Sequence, residues 1–101
     1  MSLPQETRQV EIVNAYGLHA RPAMQLVETA SRFGASVEVS NGSLSVDAKS
    51  IMSVMRLAAT CGTVLTIVAD GDDATEACDA LAALIADGFG PLEQEASGGA
   101  N

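Results

Sequence analysis

The spacing of hydrophobic positions changes several times along this chain, and each change predicts a different element. Arg8 to Asn14 (RQVEIVN) is β-rich and predicts a first strand. From Ala20 to Phe33, apolar residues recur at Ala23, Leu26, Val27 and Ala30, the period of one helical face, and Gly34 follows as a natural stop. Ser36 to Asp47 predicts a hairpin, because SVEVS and SLSVD flank Asn41-Gly42, the dipeptide favoured in type I′ two-residue turns. That turn would place Val39 opposite Leu44 and Val37 opposite Val46, all on one face, with Glu38 and Ser45 on the other. Ser50 is placed to cap a short second helix reaching about Ala59, with Val54, Leu57 and Ala58 turned inward. Thr63 to Ala69 (TVLTIVA) predicts a fourth strand that ends at Asp70-Gly71. Asp73 and Glu76 have capping-box spacing for a last helix, with Ala77, Leu81, Leu84 and Ile85 on one side and Gly88 at its end.

The resulting order is βαββαβα. One-sided amphipathic helices beside an antiparallel hairpin predict an α+β domain of two layers, the helices on one face of a sheet. A ferredoxin-like βαββαβ arrangement shares most of this order, and would suit a small-molecule-binding domain; no ligand loop supports that use.

At 101 residues the chain has room for one core. Trp is absent and aromatics are 3% of residues, so the core is expected to be aliphatic, built from Val, Ile, Leu, Ala and Met. No stretch approaches the ~20 apolar residues of a membrane span, and the N-terminus lacks a basic-then-apolar leader pattern, which together predict a cytoplasmic chain. The net charge of −8, with only five Lys and Arg, excludes the basic stripe of a nucleic-acid binder and disfavours an anionic membrane. Proteins are the expected partners, although the same charge also serves solubility. Cys61 and Cys78 read as reduced, half-buried small hydrophobes. One histidine and two distant cysteines are too few for a zinc cage, so neither metal nor cofactor is expected.

Chemistry concentrates at Gly17-Leu18-His19-Ala20-Arg21-Pro22-Ala23, where the first strand gives way to the first helix. A helix start leaves about four amides without intrahelical acceptors and carries partial positive charge, which makes it an anion site. Pro22 is tolerated in a first turn, so the helix can begin around His19, with the free amides of Ala20 and Arg21 pointing back towards the imidazole. Neutral imidazole is a competent nucleophile at physiological pH. If it took a phosphoryl group, helix amides and the Arg21 guanidinium would hold the added charge, and Gly17 would allow a close approach by a partner. Lone histidines near helix starts are mostly ordinary surface residues, so position alone does not assign a role.

The GLHARPA run, its preceding strand and its following amphipathic helix resemble the HPr family of histidine-containing phosphocarriers of the bacterial sugar phosphotransferase system. A second block, Asp47-Ala48-Lys49-Ser50-Ile51-Met52-Ser53-Val54-Met55, resembles that family's regulatory serine segment at the expected separation. The similarity covers about residues 8–89. It implies an HPr-like domain over 8–90 between flexible ends at 1–7 and 91–101. The implied fold is an open-faced β-sandwich of four antiparallel strands under three helices. The resemblance implies phosphorylation of His19 on a ring nitrogen, tele or pros, by enzyme I charged from phosphoenolpyruvate, and transfer onward to a IIA-type domain. Such a chain is a carrier, not a turnover catalyst, and a monomer suits a shuttle. Arg21 would contact the phosphate together with the backbone at Gly17 and Ala20. Ser50 would be the residue modified by an HPr kinase/phosphorylase, besides capping its helix. Ile51, Met52 and Met55 would border the docking surface as an adaptable apolar patch.

Two features depart from the sugar-type pattern. Glu28 and Ser31 stand where such members often carry lysines, which would weaken steering towards an acidic partner. HARPAM, Leu26 and Glu28, with the closing ALIADGF, resemble the nitrogen-related branch, whereas the Ser50 block resembles the kinase-regulated one. The alternative to a transport carrier is therefore a nitrogen-type or purely regulatory HPr-like interaction module not coupled to sugar transport, the regulatory form taking Ser50 phosphorylation as its main input.

Overall fold

The computed structural model describes residues 4–90, which form β1 (Gln5–Glu11), α1 (Ala20–Ser31), β2 (Ser36–Ser40), β3 (Ser45–Asp47), α2 (Ile51–Met55), β4 (Val64–Asp70) and α3 (Ala74–Ala86). The strands make one antiparallel sheet in the order β1-β4-β2-β3. Alternation decides which face is covered. Leu65, Ile67 and Ala69 of β4 and Val37 and Val39 of β2 turn under the helices and are buried, while their neighbours face outward. The three helices close that face and leave the other open, the open-faced arrangement expected. Each fully buried aliphatic side chain contributes about 1.5–3 kcal/mol.

Several boundaries differ from the sequence pattern for physical reasons. β1 starts at Gln5, so part of the segment expected to be a loose end is strand, and the strand stops at Glu11. Polar contacts hold these residues: Gln5 Nε2 donates to Asp70 at 3.1 Å, and the Arg8 guanidinium pairs with Glu6 and, at 2.8 Å, with Asp79 of α3. Hydrophobic periodicity cannot register such a strand end. Residues 1–3 of the loose end expected at 1–7, and the expected end at 91–101, lie outside the described residues.

The hairpin keeps its faces but not its register. Val39 lies opposite Val46 and Ser40 opposite Ser45, a slip of two residues from the expected pairing. The cause is Asn41. Its Oδ1 accepts from the amides of Ser43 and Leu44, both at 2.9 Å, and its own amide donates to Leu44 O at 3.1 Å. A loop of residues 41–44 replaces the two-residue turn. A two-residue slip preserves side-chain parity, so Val37, Val39 and Val46 remain buried, while Leu44 is only half-buried.

α2 is a single turn and a half rather than a helix to Ala59, and Ala58 is exposed in the left-handed region at φ 46°. Val54 and Leu57 do face the core. The core also departs in composition. Phe89 is among its largest fully buried side chains, while Met24, Met52 and Met55 are exposed. Cys78 is buried, and Cys61 is exposed rather than half-buried; both thiols are free.

Two end signals behave unexpectedly. Gly34 is not a left-handed stop for α1, which ends at Ser31, and Asp73 makes no side-chain cap on α3. The two instead meet: Asp73 accepts the Gly34 amide at 2.9 Å and the Ala35 amide at 2.8 Å, stapling the α1–β2 loop to the start of α3. The Gly34 amide holds the Asp73 carboxyl below its ordinary value of 3.8, burial partly opposing, and the Ala35 amide adds to the lowering. A depressed folded pKa contributes stability above the ordinary value, and loses it as pH falls through the folded one. The melting-temperature gap between wild type and Asp73→Asn should therefore be full near pH 6 and should close below about pH 4. A gap constant from pH 6 to pH 2 would exclude this staple as an acid-sensitive element.

Candidate functional site

Three loops converge at one end of the sheet. The β1–α1 loop is laced to the α2–β4 loop: Ile12 N donates to Thr63 O at 2.9 Å, Gly62 N to Ile12 O at 2.7 Å, and Leu18 N to Ala59 O at 2.9 Å. Gly17 makes the closest approach. Its φ is +67°, and a Cβ there would sit 2.5 Å from Ala59 O and 2.8 Å from Thr60 Cα. Its glycine is thus required for the approach of the protein's own two loops.

His19 is the N-cap residue of α1, with extended backbone (φ −85°, ψ −170°), and its carbonyl accepts the Ala23 amide at 2.9 Å. Its imidazole is exposed and makes no capping hydrogen bond. The amides of Ala20 and Arg21 have no acceptor among the described residues, and the first turn contains no acidic residue to compete for an anion. Pro22, next in the turn, has no amide to satisfy and is buried. Arg21 is exposed, with no ion pair among the described residues, and lines a shallow recess with Ala20, Met24, Gln25 and Glu28. One exposed nucleophile, two free amides and an unpaired guanidinium therefore share one helix end.

Sequence reasoning missed the other wall of the site. His19 lines a recess of about 220 Å³ with Val13, Asn14, Ala15, Tyr16, Gly88 and Gly90. The last two arrive through the end of α3, where Gly88 (φ +69°) donates to Ile85 O at 3.0 Å and Phe89 to Leu84 O at 2.8 Å. This is a Schellman pattern, and it puts Gly88 at the helix end as expected. Only the fold reveals that it delivers Gly90 to the histidine. Tyr16 gives no periodic signal either, being an aromatic residue in an irregular loop.

Ser50 caps α2, its Oγ accepting the Ser53 amide at 3.3 Å. Beside it, Lys49 Nζ donates to Phe33 O at 2.8 Å, tying this segment to the end of α1. Met52 is 76% exposed, and Ile51 and Met55 are exposed at 36% and 40%. Met24, 53% exposed, extends this apolar surface on α1, and an apolar recess opens between Met24, Val27, Glu28 and Ile51. The structure places His19 and Arg21 at the same end of α1, their side chains lining different recesses, and the Ser50 segment alongside α1.

Residues 6–87 match the family model described as the PTS HPr component phosphorylation site. The phosphocarrier protein HPr of Cupriavidus necator is 49% identical over 86 residues, which are 85% of this chain and 97% of that protein. Its Haemophilus influenzae counterpart is 46% identical over 79 residues, 78% of this chain and 93% of that protein. The crystal structure of HPr-C-His from Thermoanaerobacter tengcongensis superposes with a TM-score of 0.82 at 44% identity, covering 85% of this chain and 97% of that one. An open-faced sandwich with this histidine segment defines a phosphocarrier rather than a catalyst. The chain belongs to the HPr family of the phosphotransferase system. No described helix is long and apolar enough to cross a membrane.

Proposed function

We propose that this protein accepts a phosphoryl group on His19 from phosphoenolpyruvate-charged enzyme I and passes it to IIA-type domains, acting as a cytoplasmic monomer. The observation that carries this reading is the exposed, uncapped imidazole at the start of α1, beside two free amides. Transfer needs a nucleophile that two successive partners can reach. It also needs charge stabilisation that does not depend on either partner. The α1 amides and Arg21 supply the second, and exposure supplies the first.

Four of the five basic residues, Arg21, Arg32, Lys49 and Arg56, lie on or beside α1 and α2, while most acidic residues lie elsewhere. With Met24, Ile51, Met52 and Met55 exposed on the same two helices, this face suits partners with an apolar centre and an acidic rim. A phosphate on Ser50 would add negative charge at this face. The start of α2 tolerates that charge, so the effect would fall on docking rather than on folding.

Incubation with enzyme I and phosphoenolpyruvate is expected to add one acid-labile phosphate to the wild type and none to His19→Ala. Labelling of His19→Ala would remove the assignment. A second reading, regulation rather than sugar uptake, is favoured by the exposed carboxylate of Glu28 within the docking face. It predicts faster transfer from a nitrogen-type enzyme I than from a sugar-type one. Regulation through Ser50 predicts an ATP-dependent mass gain with HPr kinase that Ser50→Ala lacks.

A further inference from the structure

Tyr16 is the chain's single tyrosine and is 78% exposed, so its ring adds nothing to the core. Its backbone, by contrast, is firmly held. It is the third residue of a turn in which Gly17 N donates to Asn14 O at 3.1 Å and Asn14 Nδ2 donates to Gly17 O at 2.7 Å. Gly17, which closes the turn, is pressed against Ala59 and Thr60. The phenol ring stands edge-to-face with the His19 imidazole, centroids 6.1 Å apart and planes at 89°. Both rings line the same recess. Burial does not account for this exposed aromatic ring, which stands against the one histidine of the chain.

We propose that Tyr16 is a positioning residue for His19: its ring fixes the imidazole's orientation and shields one flank of the phosphoryl group the imidazole carries. This rests on His19 being the phosphoryl acceptor. The loss it opposes is hydrolysis. A water oxygen bonds to phosphorus as the P–N bond breaks; the bonding pair and one water proton go to the ring nitrogen, and hydrogen phosphate leaves. A ring beside the phosphoryl group takes space that water would occupy. Edge-to-face contact also restricts rotation of the imidazole, keeping the reactive nitrogen turned to the partner side. A carrier gains from both, since its cargo must outlast the interval between donor and acceptor.

The test uses phosphoramidate, which phosphorylates exposed imidazoles without an enzyme, so that a failure of the enzyme I assay and a failure here are separate results. With one histidine in the chain, the phosphohistidine signal in 31P NMR belongs to His19. Phosphoryl loss from Tyr16→Ala should be about threefold faster than from wild type, with Tyr16→Phe restoring the slow rate. The ring 15N shifts of unphosphorylated His19 should move in Tyr16→Ala and stay in place in Tyr16→Phe. All three proteins should melt together, because the side chain is exposed. Equal decay in Tyr16→Ala and wild type overturns the proposal, as does a Tyr16→Phe protein that decays as fast as Tyr16→Ala.

Discussion

Gly17→Ala is expected to destabilise the protein by about 2–4 kcal/mol and, on the proposed role of His19 two residues away, to slow its phosphorylation. Two costs combine. A non-glycine residue at φ +67° pays for the left-handed conformation, about 1–2 kcal/mol. The new methyl also meets backbone on the opposite loop, 2.5 Å from Ala59 O and 2.8 Å from Thr60 Cα, and neither can swing aside as a side-chain tip could. Ala59 O is the acceptor of the Leu18 amide, so relief of the clash breaks that bond and shifts the start of α1. Gly42→Ala is the control: φ is +98° there, but nothing lies within 4 Å, and only the conformational cost of about 1 kcal/mol applies. Urea denaturation of both variants checks the difference. Equal losses would show that the approach of the two loops contributes nothing.

Phe89→Ala should cost about 3–5 kcal/mol, comparable to any single truncation in the core. The side chain is 1% exposed, and its backbone holds φ +63°, a conformation Ala would have to keep without the burial that offsets it. Its amide is also half of the end of α3, donating to Leu84 O. Phe89→Leu should lose about 1.5 kcal/mol or less, because most of the volume is retained. Since Gly88 and Gly90 flank Phe89 and wall the recess beside His19, the alanine variant should also broaden the His19 ring resonances. A denaturation midpoint within error of wild type would rule out this anchoring role.

Elements governed by local spacing were legible in the sequence. α1 follows from Ala23, Leu26 and Ala30, which are all buried, and its start at His19 follows from Pro22 and the GLHARPA run. What could not be read depended on partners distant along the chain. Asp73 has the sequence position of a cap, yet its carboxylate serves Gly34 and Ala35. Arg8 and Glu6 look like solvent-facing residues, yet with Asp79 they secure an edge strand. Asn41-Gly42 announces a turn correctly, but the Asn41 side chain chooses a longer one and moves the register by two. The site shows the same division. His19, Arg21 and the Ser50 cap are local features. The Tyr16 ring, and the arrival of Gly88 and Gly90, require the folded chain.

The closure of α3 has a practical consequence for anyone labelling this protein. Gly90 lies in the wall of the His19 recess, so a fluorophore or tag joined at that end of the domain starts next to the chemistry. The other end is safer. Pro4 accepts the Gly71 amide at the opposite end of the strands, and the seven residues of β1 put about 23 Å between it and the loop leading to His19. Surface immobilisation through the N-terminal side would keep the attachment point away from His19, whereas attachment immediately after Gly90 would crowd the histidine.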